Sequence, residues 1–340
     1  MFYSLQALRG IAAWMVVFHH IAQSYYMGNS THYFWQFFSQ IGGFGVDVFF
    51  VLSGFVMALA SKKYNGKGIA FALNRFFRVM PVYWIYTIIL LLSILLLPLG
   101  SYITAWDGGT LFKSLLLIPN LNLNGYGYYP TLYVGWTLTY EMFFYLVFSI
   151  SLAVNFSKPV FICVVLLTII TLLTRWIPFL GHTSFLLIEF IAGMIIYKCV
   201  SSSIYQRSKI IHWLMLTLLI LLNVALFIQI ENTLPAKIIA ACNVVLFFIF
   251  IDKVFDKKYW LANKLILLGE YSYSTYLCHI IVIGWFSGLL GVSSYGYVDK
   301  FIVVSILIVV YYCSKVSYIY IEKNHSIYNL RDLITRKISG

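Results

Sequence analysis

The amino-acid sequence predicts an all-α, polytopic membrane protein of about ten transmembrane helices, with the N-terminus and C-terminus both cytoplasmic. Three observations predict it. The 340-residue chain is 61% hydrophobic and only 10% charged, with mean hydropathy +0.88; soluble domains carry about 25% charged residues. Apolar runs of about 20 residues, the length that crosses a hydrocarbon core, recur along most of it. The 23 basic residues fall unevenly between alternate loops, as membrane orientation requires. The short alternating strands of a membrane barrel are not seen. No hydrophilic stretch is long enough for a separate soluble domain, so residues 1–340 read as a single integral-membrane domain.

Helices are expected at roughly 5–22, 42–61, 79–98, 132–154, 159–177, 183–201, 212–230, 236–252, 264–290 and 300–321. The first run has no basic region ahead of it and no clear small-residue cleavage site behind it. It reads as a retained helix, not a signal peptide. LFKSLLLIP, Leu111 to Pro119, is too short to span and reads as an interfacial or re-entrant piece. With the N-terminus inside and sides alternating, Lys113, Arg175, Lys237 and Lys300 fall outside, and the other nineteen basic residues fall inside. That split sets the orientation. The formal charge of +12 is then a topology signal plus attraction to anionic membrane lipid. No nucleic-acid partner is expected, because the basic residues are dispersed and no binding motif accompanies them. The five cysteines lie in apolar segments without paired spacing. They read as packing residues, and no metal site is expected. No internal repeat or inverted pair of broken helices is visible, against the common transporter designs.

Ionisable groups inside apolar segments are candidates for function. In LRGIAAWMVVFHH, His20 follows Arg9 by 11 residues, which returns to within about 20° of the same helical face; His19 lies about 80° away. Arg9 and His20 therefore share a face, separated by roughly 16 Å of rise. A snorkelling arginine and an interfacial histidine pair are the structural alternative. In GGFGVDVFFVLSGF, Asp47 is expected at a depth similar to His20, where a carboxylate would orient an imidazole; capping of the helix start is the alternative. The glycines there allow close helix approach. NRFFRVMP places Arg75 and Arg78 on one face at the end of an inner loop, suited to phosphate or to ordinary anchoring, with Pro81 in the first turn of the third helix. In VGWTLTYEMFFYL, Glu141 lies within an apolar segment and needs a partner or a wet cavity. Glu189, Glu270 and His279 are weaker candidates, and YSYSTYLCH offers hydroxyls that could bond His279. The outer loop NLNLNGYGYYP carries Tyr126 and Tyr128, which suit either sugar stacking or an interfacial aromatic belt.

Taken in order, LRGIAAWMVVFHH, GVDVFFVLSGF, NRFFRVMPVYW, GWTLTYEMFFYL and YSYSTYLCH resemble the acyltransferase family 3 proteins, integral-membrane O-acyltransferases. The match spans nearly the whole chain. LQALRGIAAW with GWTLTYEMFF looks most like the branch that acylates bacterial exopolysaccharide or related surface glycans. The resemblance implies a multi-pass protein of the bacterial inner membrane. It implies acetyl-CoA as cytoplasmic acyl donor, and a surface polysaccharide or lipid-linked sugar as glycan acceptor. It further implies His20 as catalytic histidine, Glu141 as the acidic residue after the tryptophan, and Arg9, Arg75 and Arg78 as donor-binding arginines; Asp47, read from its depth, is the other expected catalytic carboxylate. Tyr126, Tyr128, Trp136 and His279 are the expected substrate-binding residues. Some relatives carry an extra extracytoplasmic domain; none is expected here, so the membrane domain would handle the acceptor. The alternative from another class is a transporter whose intramembrane charges form a substrate or proton path.

Overall fold

A computed structural model describes residues 2–26, 33–96, 106–123, 127–154, 157–174, 185–201, 234–252, 255–290 and 300–324, with 329, 331 and 333–335. Its elements run α1 (Tyr3–Tyr26), α2 (Tyr33–Ile41), α3 (Phe44–Ala60), α4 (Gly68–Leu96), α5 (Gly108–Leu115) and α6 (Trp136–Val154). They continue with α7 (Pro159–Thr174), α8 (Phe185–Val200), α9 (Leu234–Ile251), α10 (Trp260–Glu270), α11 (Ser272–Leu289) and α12 (Lys300–Ser317). A 3₁₀ turn (Tyr133–Gly135) leads into α6, and a π-helical turn (Tyr318–Glu322) follows α12. The described residues contain no strand. The protein is an all-α polytopic membrane protein. By length and apolarity alone, four described helices can cross a membrane, or six if two bent helix pairs each count as one span. The seventh expected helix, 212–230, lies outside the described residues.

Three expectations are corrected. Arg75 and Arg78 do not end a loop: α4 starts at Gly68 and runs through both, with Pro81 in its interior. The apolar, helix-forming run after Gly68 carries the helix across the one backbone bond that Pro81 cannot donate. The expected helix at 264–290 is two helices broken at Tyr271. There Glu322 accepts from the Ser274 backbone N–H at 3.1 Å and from its hydroxyl, while the Tyr318 hydroxyl donates to Glu270 at 2.8 Å. These side chains satisfy backbone and carboxyl groups that a break exposes. Finally, the aromatic run Tyr33–Ile41 forms α2, where hydropathy predicts no helix.

The chain packs as two compact units. The first comprises Met1–Ala12, Phe44–Ala72 and Phe143–Gly269. Here α3 crosses α8 closely at two glycines: a Cβ on Gly54 would lie 2.1 Å from the Phe190 carbonyl oxygen, and one on Gly193 would lie 1.9 Å from that of Val51. Small residues at such a crossing let the backbones meet, as membrane helices require. The start of α1 is held by Asp252, whose carboxylate accepts from the Ser4 N–H and hydroxyl, each at 2.8 Å. An anion suits a helix N-terminus. The second unit comprises Ala13–Gly43, Leu73–Met142 and Glu270–Gly340. Its centre is α11, buried along most of its length and packed on α12. Tyr273 ties α11 to α4 by donating to the Val79 carbonyl at 2.8 Å. Tyr83 and Trp84 tie α4 to α5, donating to the Ser114 and Leu115 carbonyls at 2.9 and 2.7 Å. The short α5 starts with an Asp107–Thr110 capping box, and the Thr110 N–H holds the exposed Asp107 carboxyl below its ordinary range.

Candidate active site

In the second unit α1 separates its two adjacent histidines. Successive helical residues point about 100° apart. His19 faces α2: its Nδ1–H donates to the Phe38 carbonyl at 3.0 Å, and Gly43 packs against its ring. His20 turns to the interior, with 8% of its surface exposed. Its ring centre is 5.2 Å from that of His279 and 6.3 Å, edge-on, from that of Tyr133. Gln23, one turn along α1, also reaches the His20 side chain.

The opposite wall comes from α11. Tyr276 and His279 are three residues apart and share a helix face. His279 is 0% exposed, and its Nδ1 lies 3.1 Å from the Thr275 carbonyl oxygen. A carbonyl only accepts, so Nδ1 carries the proton and Nε2 carries the lone pair. That Nε2 has no hydrogen-bond partner among the described residues. The Tyr276 and Thr137 hydroxyls lie 2.9 Å apart, and each reaches the Val134 carbonyl at 3.1 Å. Glu141, half-buried on α6, is within electrostatic reach of Tyr276. Within this unit His20, His279, Tyr276, Thr137, Tyr133 and Glu141 therefore form one neighbourhood, a basic nitrogen set among hydroxyls in a buried, low-dielectric place. Sequence reasoning passes over Tyr133, Thr137 and Tyr276. The spacing of Tyr276 before His279 is the available signal.

The remaining expected residues sit elsewhere. Arg75 and Arg78 lie one turn apart on α4, the first buried and the second exposed. Arg9 is half-buried on α1, which is continuous from Tyr3 to Tyr26, as the phase relation with His20 requires. Trp136 is half-buried and packs edge-on to Tyr140, while Tyr128 is 45% exposed. Tyr126 lies outside the described residues. Asp47 belongs to the first unit, where Glu189 and Lys237 lie within its electrostatic reach. Each of the three sits near the start of its own helix, α3, α8 or α9. Glu189 is 0% exposed, and such a carboxyl is tolerated inside a membrane only with partners.

The fold and this neighbourhood define a polytopic helical membrane protein with an imidazole site built on its first helix. The chain belongs to the acyltransferase domain family, whose profile matches residues 2–314. Membership of this family agrees with the ordered motifs and supports an acyltransferase reading over the transporter alternative. Over 163 residues the chain is 34% identical to the exopolysaccharide production protein ExoZ of Rhizobium meliloti (strain 1021), covering 46% of this chain and 50% of that relative. The chain thus spans about half the length of the curated relative it matches. No solved structure matches it.

Proposed function

We propose that the protein transfers an acyl group, acetyl by preference, from cytoplasmic acyl-CoA to a hydroxyl of a bacterial exopolysaccharide or its lipid-linked form. The observation that carries the chemistry is the burial of His20, on the arginine-bearing face of α1, among neutral hydroxyl and imidazole groups. A neutral imidazole is a competent general base near neutral pH. It takes the proton of the sugar hydroxyl as the oxygen attacks the thioester carbon. The C–S bond breaks, the ester C–O bond forms, and the proton passes from His20 to the departing thiolate. An acyl-histidine route would divide the same balance into two steps.

Arg75 and Arg78 suit bidentate phosphate contacts from a CoA, and the family resemblance gives Arg9 the same role. The rise of roughly 16 Å from Arg9 to His20 is comparable to an extended pantetheine arm. Glu141, in electrostatic reach of Tyr276, is the carboxylate assigned to orient the base or balance its charge; Asp47, which lies by Glu189 in the first unit, is given no part in this step. Tyr128, Trp136 and Tyr126 suit the sugar. The basic-residue pattern supports ten crossings of the bacterial inner membrane by a single domain, with both termini cytoplasmic. The test is mass spectrometry of exopolysaccharide from cells carrying wild-type protein or His20→Ala. The variant is expected in the membrane at normal level with O-acetylation abolished. Acetylation at the wild-type rate by His20→Ala would overturn the mechanism.

A further inference from the structure

We propose that His279 is a positioning residue for His20: its Nε2 lone pair determines which nitrogen of His20 carries the proton, and therefore which one is the base. The inference rests on His20 being the general base.

The buried imidazole of His279 has few options. It is 0% exposed, and burying a polar ring without using its nitrogens is costly. One nitrogen is used, because Nδ1–H donates to the Thr275 carbonyl at 3.1 Å. This bond to its own helix turns the Nδ1 edge back toward the α11 backbone. The other edge, with Nε2, is directed away from that backbone. It can only accept, and no described residue donates to it. The adjacent ring is His20, 5.2 Å away centre to centre and tilted by 32°. An N–H···N bond of about 2.9 Å between two imidazoles spans a similar distance between ring centres, so a modest rotation of His20 closes it.

Two neutral imidazoles attract at that range when one offers N–H and the other a lone pair. His279 has already been committed to the lone pair by Thr275. His20 can offer N–H toward His279 from Nδ1, which has no described hydrogen-bond partner; its other nitrogen is then left deprotonated for the sugar hydroxyl, with Gln23 beside the ring. When that nitrogen takes the proton, the imidazolium still donates to His279. A buried carboxylate would select the same tautomer at the cost of a full charge; a neutral imidazole selects it without one. Tyr276, its ring centre 5.9 Å from that of His279, is locked by Thr137 and Val134 and holds the His279 ring in place. The charged and titratable groups around the pair are His19, Tyr133, Tyr276 and Glu141.

The test compares His279→Gln with His279→Asn in the full-length protein in membranes, reading kcat and KM for acetyl-CoA. A glutamine can place its amide oxygen near the Nε2 position, whereas an asparagine reproduces only the Nδ1 position and its bond to Thr275. Gln is expected to keep kcat within about tenfold, and Asn to lose roughly a hundredfold, with KM little changed in both, as removal of a base's orienting partner predicts. Asn matching or exceeding Gln would assign His279 a structural role. A raised KM at unchanged kcat would make it a substrate contact. Either result overturns the proposal. A second measurement needs no variant to fold: solid-state NMR of wild-type protein labelled with ¹⁵N-histidine. An N–H···N correlation between two of the seven histidines is expected, and its absence overturns the pairing. If His20→Ala remains active, the underlying mechanism fails; if it is inactive while Asn matches Gln, only the role of His279 fails.

Discussion

At the scale of single residues, the Tyr276 hydroxyl shows how a buried polar atom is used twice. It bonds both Thr137 and the Val134 carbonyl, fixing α11 to the start of α6. Tyr276→Phe is expected to cost about 1 kcal/mol, the net worth of such a bond. In a thermal melt of detergent-solubilised protein this reads as a midpoint lower by about 2–4 °C. Arg78 is exposed on α4, so it can be neutralised without burying an unpaired charge. Arg78→Gln is expected to raise KM for acetyl-CoA roughly tenfold or more while kcat is kept, the loss of one charge-assisted contact. An unchanged KM would remove Arg78 from the donor site. The helical phase of α1 is a local property, so the separation of His19 from His20 is legible in the residue spacing alone. The contact of His20 with His279 is not, because it joins residues from opposite ends of the chain and nothing in either segment encodes the meeting.

At the scale of elements, the crossing of α3 and α8 is decided by what a glycine lacks. A Cβ on Gly193 would overlap the Val51 carbonyl oxygen at 1.9 Å, whereas one on Gly108 at the start of α5 meets nothing within 4 Å. Gly193→Ala should therefore abolish monodisperse protein after detergent extraction, and Gly108→Ala should leave it unchanged; size-exclusion chromatography of both variants checks the contrast. Hydropathy finds the spans but misreads their ends. It places Pro81 at a helix start, because a proline is commonest there, while the apolar turns around it hold it mid-helix. It fuses α10 and α11, because the break at Tyr271 depends on Glu322 and Tyr318 arriving from the far side of α12.

At the scale of the whole molecule, the distribution of basic residues predicts the inner loops, and the prediction is testable by labelling. In a cysteine-free background, Lys63→Cys should react with a membrane-impermeant maleimide only after the cells are opened, and Lys113→Cys should react in intact cells. The reverse pattern would invert the proposed topology. The carboxyl pair of Asp47 and Glu189 with Lys237 also belongs to this scale. Asp47 stands out in the sequence, Glu189 only weakly, and Lys237 reads as an outer-loop charge. Their partnership needs three helices, α3, α8 and α9, to be packed.

The sequence by itself determined the class of protein, the helical character of the chain, the ordered motifs of an acyltransferase and the face of α1 shared by Arg9 and His20. These follow from composition, local periodicity and residue spacing, which act over a few turns of backbone. Only the tertiary structure decided that His20 meets His279, that Asp47 lies by Glu189, and that a long apolar run is broken at Tyr271. In each case the deciding atom is supplied by a distant segment, so its burial and its contacts come into being only when the helices pack.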